Sequence, residues 1–233
     1  MAGLAFRMIL LTVTAFLIAG VASAQTDEPK NSGWYAGIHF GAVITDDVVD
    51  ESGTWTLGGT PYSYDSSLST DPGFGVGAFA GYKIPVGFRF ELELTYRRNS
   101  LDELNYYSEF WDITVQETID GDVSSLSYMG NLWYEYDLGA GWMPYLGFGL
   151  GGATKFVDCS GDFCFGLDDR ADGETDFAFQ VGVGVAYALT KNTVISLDWR
   201  YFDSIEADFD LFGIVEDFDY ANHNIMLGLR RHF

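Results

Sequence analysis

Residues 88–98 alternate strictly along the chain. Phe88, Phe90, Leu92, Leu94 and Tyr96 take one parity, and Arg89, Glu91, Glu93, Thr95 and Arg97 take the other. In a strand the two sets point to opposite faces, so one side is apolar and the other charged. The period of two returns at 175–187, where Phe177, Phe179, Val181, Val183, Val185 and Tyr187 oppose Ala178, Gln180, Gly182, Gly184 and Ala186. It returns again at 193–203, with Ile195, Leu197, Trp199 and Tyr201 against Ser196, Asp198 and Arg200. The pattern predicts strands at 33–44, 73–83, 88–98, 124–137, 143–155, 175–187, 193–203 and 222–233. Segments of roughly ten to fourteen residues suit tilted strands crossing a hydrocarbon core. The connections alternate as well. Those at 84–87, 138–142 and 188–192 are short, whereas 45–72, 99–123, 156–174 and 204–221 are long and lack the alternation. Short turns at one rim and long loops at the other predict an all-β fold: a closed eight-stranded antiparallel transmembrane barrel of up-and-down meander topology.

Eight strands enclose a space just wide enough for side chains to fill. The inward set is therefore expected to be small residues and mutually neutralising charges. Gly75, Gly77, Gly81, Gly147, Gly149, Gly151, Gly182 and Gly184 meet the first requirement. Arg89, Glu91, Glu93, Arg97, Glu135, Asp198, Arg200 and Arg230 meet the second, with four acids against four bases. Counting back from the short turns places Arg89 and Glu135 near the same rim on adjacent strands, facing each other in the lumen. Trp34, Tyr82, Tyr96, Tyr134, Tyr136, Trp142, Tyr145, Tyr187 and Trp199 fall at strand ends or on the outward set, where interfacial aromatic girdles form.

Ahead of the strands stands a segment of another kind. Arg7 precedes the apolar run Met8–Val21, and Ala22, Ser23 and Ala24 form a small-x-small cleavage site. Residues 1–24 read as a signal peptide, 25–32 as a short periplasmic tail and 33–233 as the barrel. Export makes a disulfide possible, and Cys159 and Cys164 at C-x4-C spacing would close a small loop. A metal site is the alternative for that pair, without a His or second Cys pair to support it.

The 233 residues carry 34 acids and 12 bases, a formal charge of −22. Phosphate binding needs a basic footprint, so no nucleic-acid partner is expected. By position, the four long connections hold 25 of the acids and one base, Arg170. Loop-bound Ca²⁺ or Mg²⁺, bridging carboxylates to each other or to lipopolysaccharide phosphates, would relieve the repulsion; Asp168, Asp169, Asp172 and Glu174 are the candidates. No EF-hand is read there. Arg170 takes the second ligand position, and Phe179 stands where the bidentate Glu belongs.

Ile225, Leu227, Leu229 and the terminal Phe233 share one face of the last strand, and the first opens Gly33, Trp34, Tyr35, Ala36, Gly37. With the signal peptide and the Gly/aromatic hairpins, the chain resembles the OmpA/OmpX/opacity-type barrels over essentially its whole mature length. The resemblance implies outer-membrane localisation amid lipid and lipopolysaccharide. It also implies that the barrel-assembly machinery reads Ile225, Leu227, Leu229 and Phe233. Arg231 departs from the pattern, standing where an apolar or aromatic residue is usual. No peptidoglycan-binding domain is expected after the last strand.

Some such barrels are enzymes built on His with Ser or acids. This chain has His39, His223 and His232. The His-x-Ser arrangement of barrel deacylases fails, because Ile225 follows two residues after His223. The reading is a non-enzymatic outer-membrane barrel with no resident cofactor, its acidic loops serving a structural or surface-interaction role toward an unidentified extracellular partner. A small porin-like channel is the alternative, and a lipid A-modifying enzyme a further one.

Overall fold

The computed structural model describes residues 32–45, 49–118, 120–160, 175–205, 210–211, 214–215 and 221–233. Its strands are β1 (Gly33–Thr45), β2 (Val49–Leu57), β3 (Thr60–Thr70), β4 (Gly73–Lys83), β5 (Phe88–Ser108), β6 (Ile113–Thr118) and β7 (Asp120–Glu135). They continue with β8 (Trp142–Ser160), β9 (Thr175–Ala188), β10 (Thr193–Ile205), β11 (Asp210–Leu211), β12 (Ile214–Val215) and β13 (Asn222–His232). Eight of them close a barrel in the order β1-β4-β5-β7-β8-β9-β10-β13, every pair antiparallel. The last strand returns to the first, with Ala36 opposite Arg231 and Phe40 opposite Leu227. The Phe233 N–H donates to the Trp34 carbonyl at 3.0 Å, so closure runs to the final residue. A closed sheet leaves no unpaired edge in lipid, where each unsatisfied backbone group would cost several kcal/mol.

Burial along β5 is the inverse of a soluble strand. Glu91 and Glu93 are 5% and 4% exposed, while Leu92 between them is 75% exposed. Nine residues, Phe88 to Tyr96, span the apolar outward stretch, the length a tilted strand needs to cross.

The structure corrects the reading of the first two long connections. β2 and β3 occupy most of 45–72, and β5 runs on to Ser108 to pair with β3 on one side and β6 on the other. A four-stranded sheet, β2-β3-β5-β6, thus continues the barrel wall beyond its rim. The sheet shows only short and interrupted alternation: Tyr62 and Tyr64 oppose Ser63 and Asp65, and Ile113 and Val115 oppose Thr114 and Gln116, runs too brief to stand out between Gly, Ser and acidic residues. Its turns carry the signal instead. Gly58 and Gly59 take φ +61 and +87, the left-handed pair that a two-residue hairpin turn demands.

A second correction concerns Tyr145, which is 5% exposed and points into the lumen rather than to a girdle. Trp133, Tyr35 and Phe202 are buried there too, so the interior mixes large rings with glycines. At Gly182 an added Cβ would lie 3.1 Å from the Trp133 ring, and at Gly184 one would lie 2.7 Å from the Tyr145 ring. Gly184→Val is expected to cost about 1–3 kcal/mol by overpacking against Tyr145 and the Asp198 stem. Urea unfolding followed by tryptophan fluorescence would measure it.

Candidate functional site: lumen and extracellular rim

The barrel order places β7 diametrically opposite β13, and β5 opposite β10. Both diameters are spanned by ion pairs. Arg230 on β13 reaches Glu135 on β7. Arg200 on β10 reaches Glu93 on β5, Nη1 to Oε2 at 2.6 Å. Guanidinium stems from one wall and carboxylates from the other therefore meet across the bore.

Around the lower brace, Glu135 also receives Arg89 at 2.9 Å and Lys83 at 3.5 Å, so one carboxylate serves three cations. Arg89 and Glu135 stand on the adjacent strands β5 and β7. Glu91 accepts from Arg89 at 3.2 Å, from the Tyr35 hydroxyl at 3.0 Å and from the Trp133 indole at 3.0 Å. Around the upper brace, Arg200 Nε meets Asp198 at 2.5 Å, and the Tyr145 hydroxyl donates to Asp198 at 2.6 Å. Arg97 donates to Asn224 at 3.0 Å and to Ser127 at 2.7 Å.

The lumen aromatics have a physical reason. Arg89 lies 5.6 Å from the Tyr35 ring centre and 5.2 Å from that of Tyr145, Arg200 lies 5.2 Å from Trp133, and Arg97 lies 4.0 Å from Phe202. Ring faces attract cations, and most strongly where water is excluded. Period two could have found Trp133, which stands two residues from Glu135 on the same face.

Two lumen bases were also missing from the sequence reading. Lys83 joins the Glu135 cluster, and Lys155 pairs with Asp176 at 3.4 Å near the outer end. With them, six of the chain's 12 bases are buried inside the barrel. A cavity of about 10 Å³, lined in part by Arg89, Glu91, Trp133 and Arg200, has room for about one water molecule.

The histidines lie apart. His39 Nε2 sits 2.9 Å from the Thr95 hydroxyl inside the barrel. His223 stacks on Trp199 at 5.6 Å at the outer end, and His232 lies beside Tyr35 at the other. Cys159 falls in β8, whereas Cys164, Asp168, Asp169, Asp172 and Glu174 lie outside the described residues. Among the described residues, no group of three or more His, Cys, Asp or Glu is placed to hold a metal ion. Ile225 and Leu227 on β13, and Phe233 just after it, are exposed along the lipid-facing side.

Beyond the rim, Glu109 ties the two hairpins together. Its carboxylate accepts from the Ser63 N–H at 2.8 Å and the Ser63 hydroxyl at 2.7 Å, and its own N–H donates to the Ser63 carbonyl at 3.0 Å. The two bonds to the carboxylate hold Glu109 below its ordinary pKa of 4.5. A depressed carboxyl stabilises the fold above the unfolded-state value, and that contribution is lost as pH falls through the lower folded value. Exchange of the Ser63 amide is expected to accelerate on acidification below about pH 4.5, the ordinary carboxyl value, and Glu109→Gln is expected to abolish that pH dependence. Amide exchange by NMR in micelles is the measurement.

Residues 11–233 match the outer membrane protein beta-barrel domain. The chain belongs to that family. It is an eight-stranded barrel of the Gram-negative outer membrane. The outer membrane protein PagN of Salmonella typhimurium is 26% identical over 139 residues, 56% of this chain and 57% of its own length. The chain thus spans little more than half of PagN. A 22 kDa outer membrane protein of Rhizobium leguminosarum bv. viciae is 24% identical, over 94% of this chain and 95% of that one. Among solved structures, Neisserial surface protein A superposes with a TM-score of 0.54 at 20% identity, covering 87% of this barrel and 98% of that chain. OprG from Pseudomonas aeruginosa gives 0.55 at 17% identity, covering 89% and 100%. These likenesses concern the barrel fold.

Proposed function

We propose that this barrel is a non-enzymatic anchor that holds an acidic extracellular surface above the outer membrane, with a structural or surface-interaction role in the envelope. The observation that carries the reading is the pair of diametric braces, Arg230–Glu135 and Arg200–Glu93. A bore crossed at two levels by charged side chains, and packed between them by Trp133 and Tyr145, is built as a plug. By sequence, the four long connections hold 25 of the 34 acids. In the same reading, residues 1–24 are removed on export, and the assembly machinery engages Ile225, Leu227, Leu229 and Phe233. Cys159 and Cys164 close a loop as a disulfide, and Ca²⁺ or Mg²⁺ at Asp168, Asp169, Asp172 and Glu174 links the loops to lipopolysaccharide phosphates.

Planar-bilayer recordings on the purified barrel are the test, run beside mass spectrometry of lipid A incubated with it. The expected result is no sustained conductance and no change in lipid mass. Steady single-channel conductance would favour the channel reading, and a mass change lost in His223→Ala would favour an enzyme.

A further inference from the structure

The aromatic residues on the barrel's outer wall have lipid to cover them, but those at the tip of the β2-β3-β5-β6 sheet do not. Between Leu101 and Ser108, β5 runs on past the rim for roughly 23 Å along its own tilted axis, at ~3.3 Å per residue. Just past its far end Phe110 packs against three rings. Its centre lies 4.8 Å from Trp55, 4.9 Å from Tyr62 and 4.8 Å from Trp111, each in an edge-on arrangement. The cluster joins both hairpins, and the Glu109–Ser63 bonds beside it hold the turn that carries Phe110. Its outer faces remain open: Trp111 is 66% exposed, Leu57 53%, and Trp55, Ile113 and Tyr106, which the strand register puts on the same face of the sheet as Leu57, are exposed as well. A contiguous exposed apolar patch of this kind marks an interaction site, and its preorganised rings lower the cost of binding.

Charge decides what can sit on it. Residues 45–72 and 99–123, which contain the sheet, hold 13 acids and no Lys or Arg. An anionic partner would be repelled, and a cationic one drawn in. A second copy of this chain brings the same acids, and half of its bases are sealed in the lumen. Of the two basic side chains, arginine suits the site better. Its planar guanidinium stacks on ring faces while pairing with carboxylates, whereas the lysine ammonium is compact and strongly hydrated.

We propose that the Trp55–Tyr62–Phe110–Trp111 tip is a docking surface for an arginine-rich segment of a cationic polypeptide. The proposal rests on the surface-interaction reading above and names the chemistry of the partner.

The test uses the mature barrel in nanodiscs of zwitterionic lipid at 150 mM salt. Fluorescently labelled nona-arginine and nona-lysine peptides are the probes, with unlabelled maltoheptaose as a neutral competitor. Nona-arginine is expected to bind, several-fold more tightly than nona-lysine. The Trp55→Ala/Trp111→Ala variant, its loop charge unchanged, is expected to lose roughly tenfold in nona-arginine affinity. Trp111→Ala alone, at the most exposed ring, serves if the double variant fails to fold. Absent nona-arginine binding, equal affinity for the two peptides, affinity unchanged in the variant, or displacement by maltoheptaose would each overturn the proposal. None of these results bears on conductance or lipid chemistry, so failure here leaves the anchor reading standing.

Discussion

Glu135→Ala is expected to lower the unfolding free energy of the barrel by about 3–5 kcal/mol. Lys83, Arg89 and Arg230 all converge on that carboxylate, and all three are at most 6% exposed. Removing it takes from Lys83 and Arg230 the carboxylate that offsets them, while Arg89 keeps Glu91 at 3.2 Å. The loss of a buried partner costs far more than the pair is worth against a well-packed apolar replacement. A companion variant, Arg230→Met in the Glu135→Ala background, is therefore expected to recover part of the loss. The outer pair Arg98–Asp122 has a half-exposed Arg98 and makes a useful contrast. Arg98→Ala is expected to change stability by less than about 1 kcal/mol, the range of exposed ion pairs. Urea titrations in micelles, followed by tryptophan fluorescence, would rank the three. Equal effects from Glu135→Ala and Arg98→Ala would show that the lumen is wet enough to screen its charges.

Leu92→Arg tests the other side of the same wall. Leu92 stands midway along the outward stretch Phe88 to Tyr96 and is the most exposed large apolar residue on the barrel's outer face. At the middle of the bilayer, an outward arginine is expected to destabilise a barrel by about 2–4 kcal/mol. The same change at Leu57, on the sheet above the rim, is expected to be nearly neutral. Folding equilibria in phosphatidylcholine vesicles would measure both. A small cost at Leu92 would mean that the bilayer crosses the strands at another height.

These two substitutions test the inward and outward sets of the alternating barrel strands, Glu135 on β7 and Leu92 on β5, and that alternation is the part of the molecule most readable in its sequence. Side chains in a strand change face at every residue, so the order of Phe, Leu, Arg and Glu at 88–97 decides which side meets lipid and which meets the lumen. Turn lengths added the strand order, because short connections at one rim leave a closed meander as the economical solution. The extracellular sheet was less legible. Ile113–Thr118 and Thr60–Thr70 each pair with β5, and their alternation lasts only a few residues, Ile113 and Val115 against Thr114 and Gln116, Tyr62 and Tyr64 against Ser63 and Asp65. The tip cluster was hidden for a related reason: Trp55, Tyr62, Phe110 and Trp111 come from two hairpins and meet only once both are folded.

The sequence by itself determined that eight strands cross the membrane, which parity of the most regular strands faces inward, and that 25 of the 34 acids fall in the four long connections between strands. The tertiary structure decided who meets whom inside. Alternation assigns a side chain to a face but says nothing of its partner across the bore. Whether Arg230 reaches Glu135 depends on barrel closure, strand stagger and a width that lets side chains from opposite walls touch. The same closure put Lys83, Lys155, Trp133 and Tyr145 in the interior, where the arginines have ring faces as well as carboxylates to lie against. It also sealed half of the chain's bases inside the barrel.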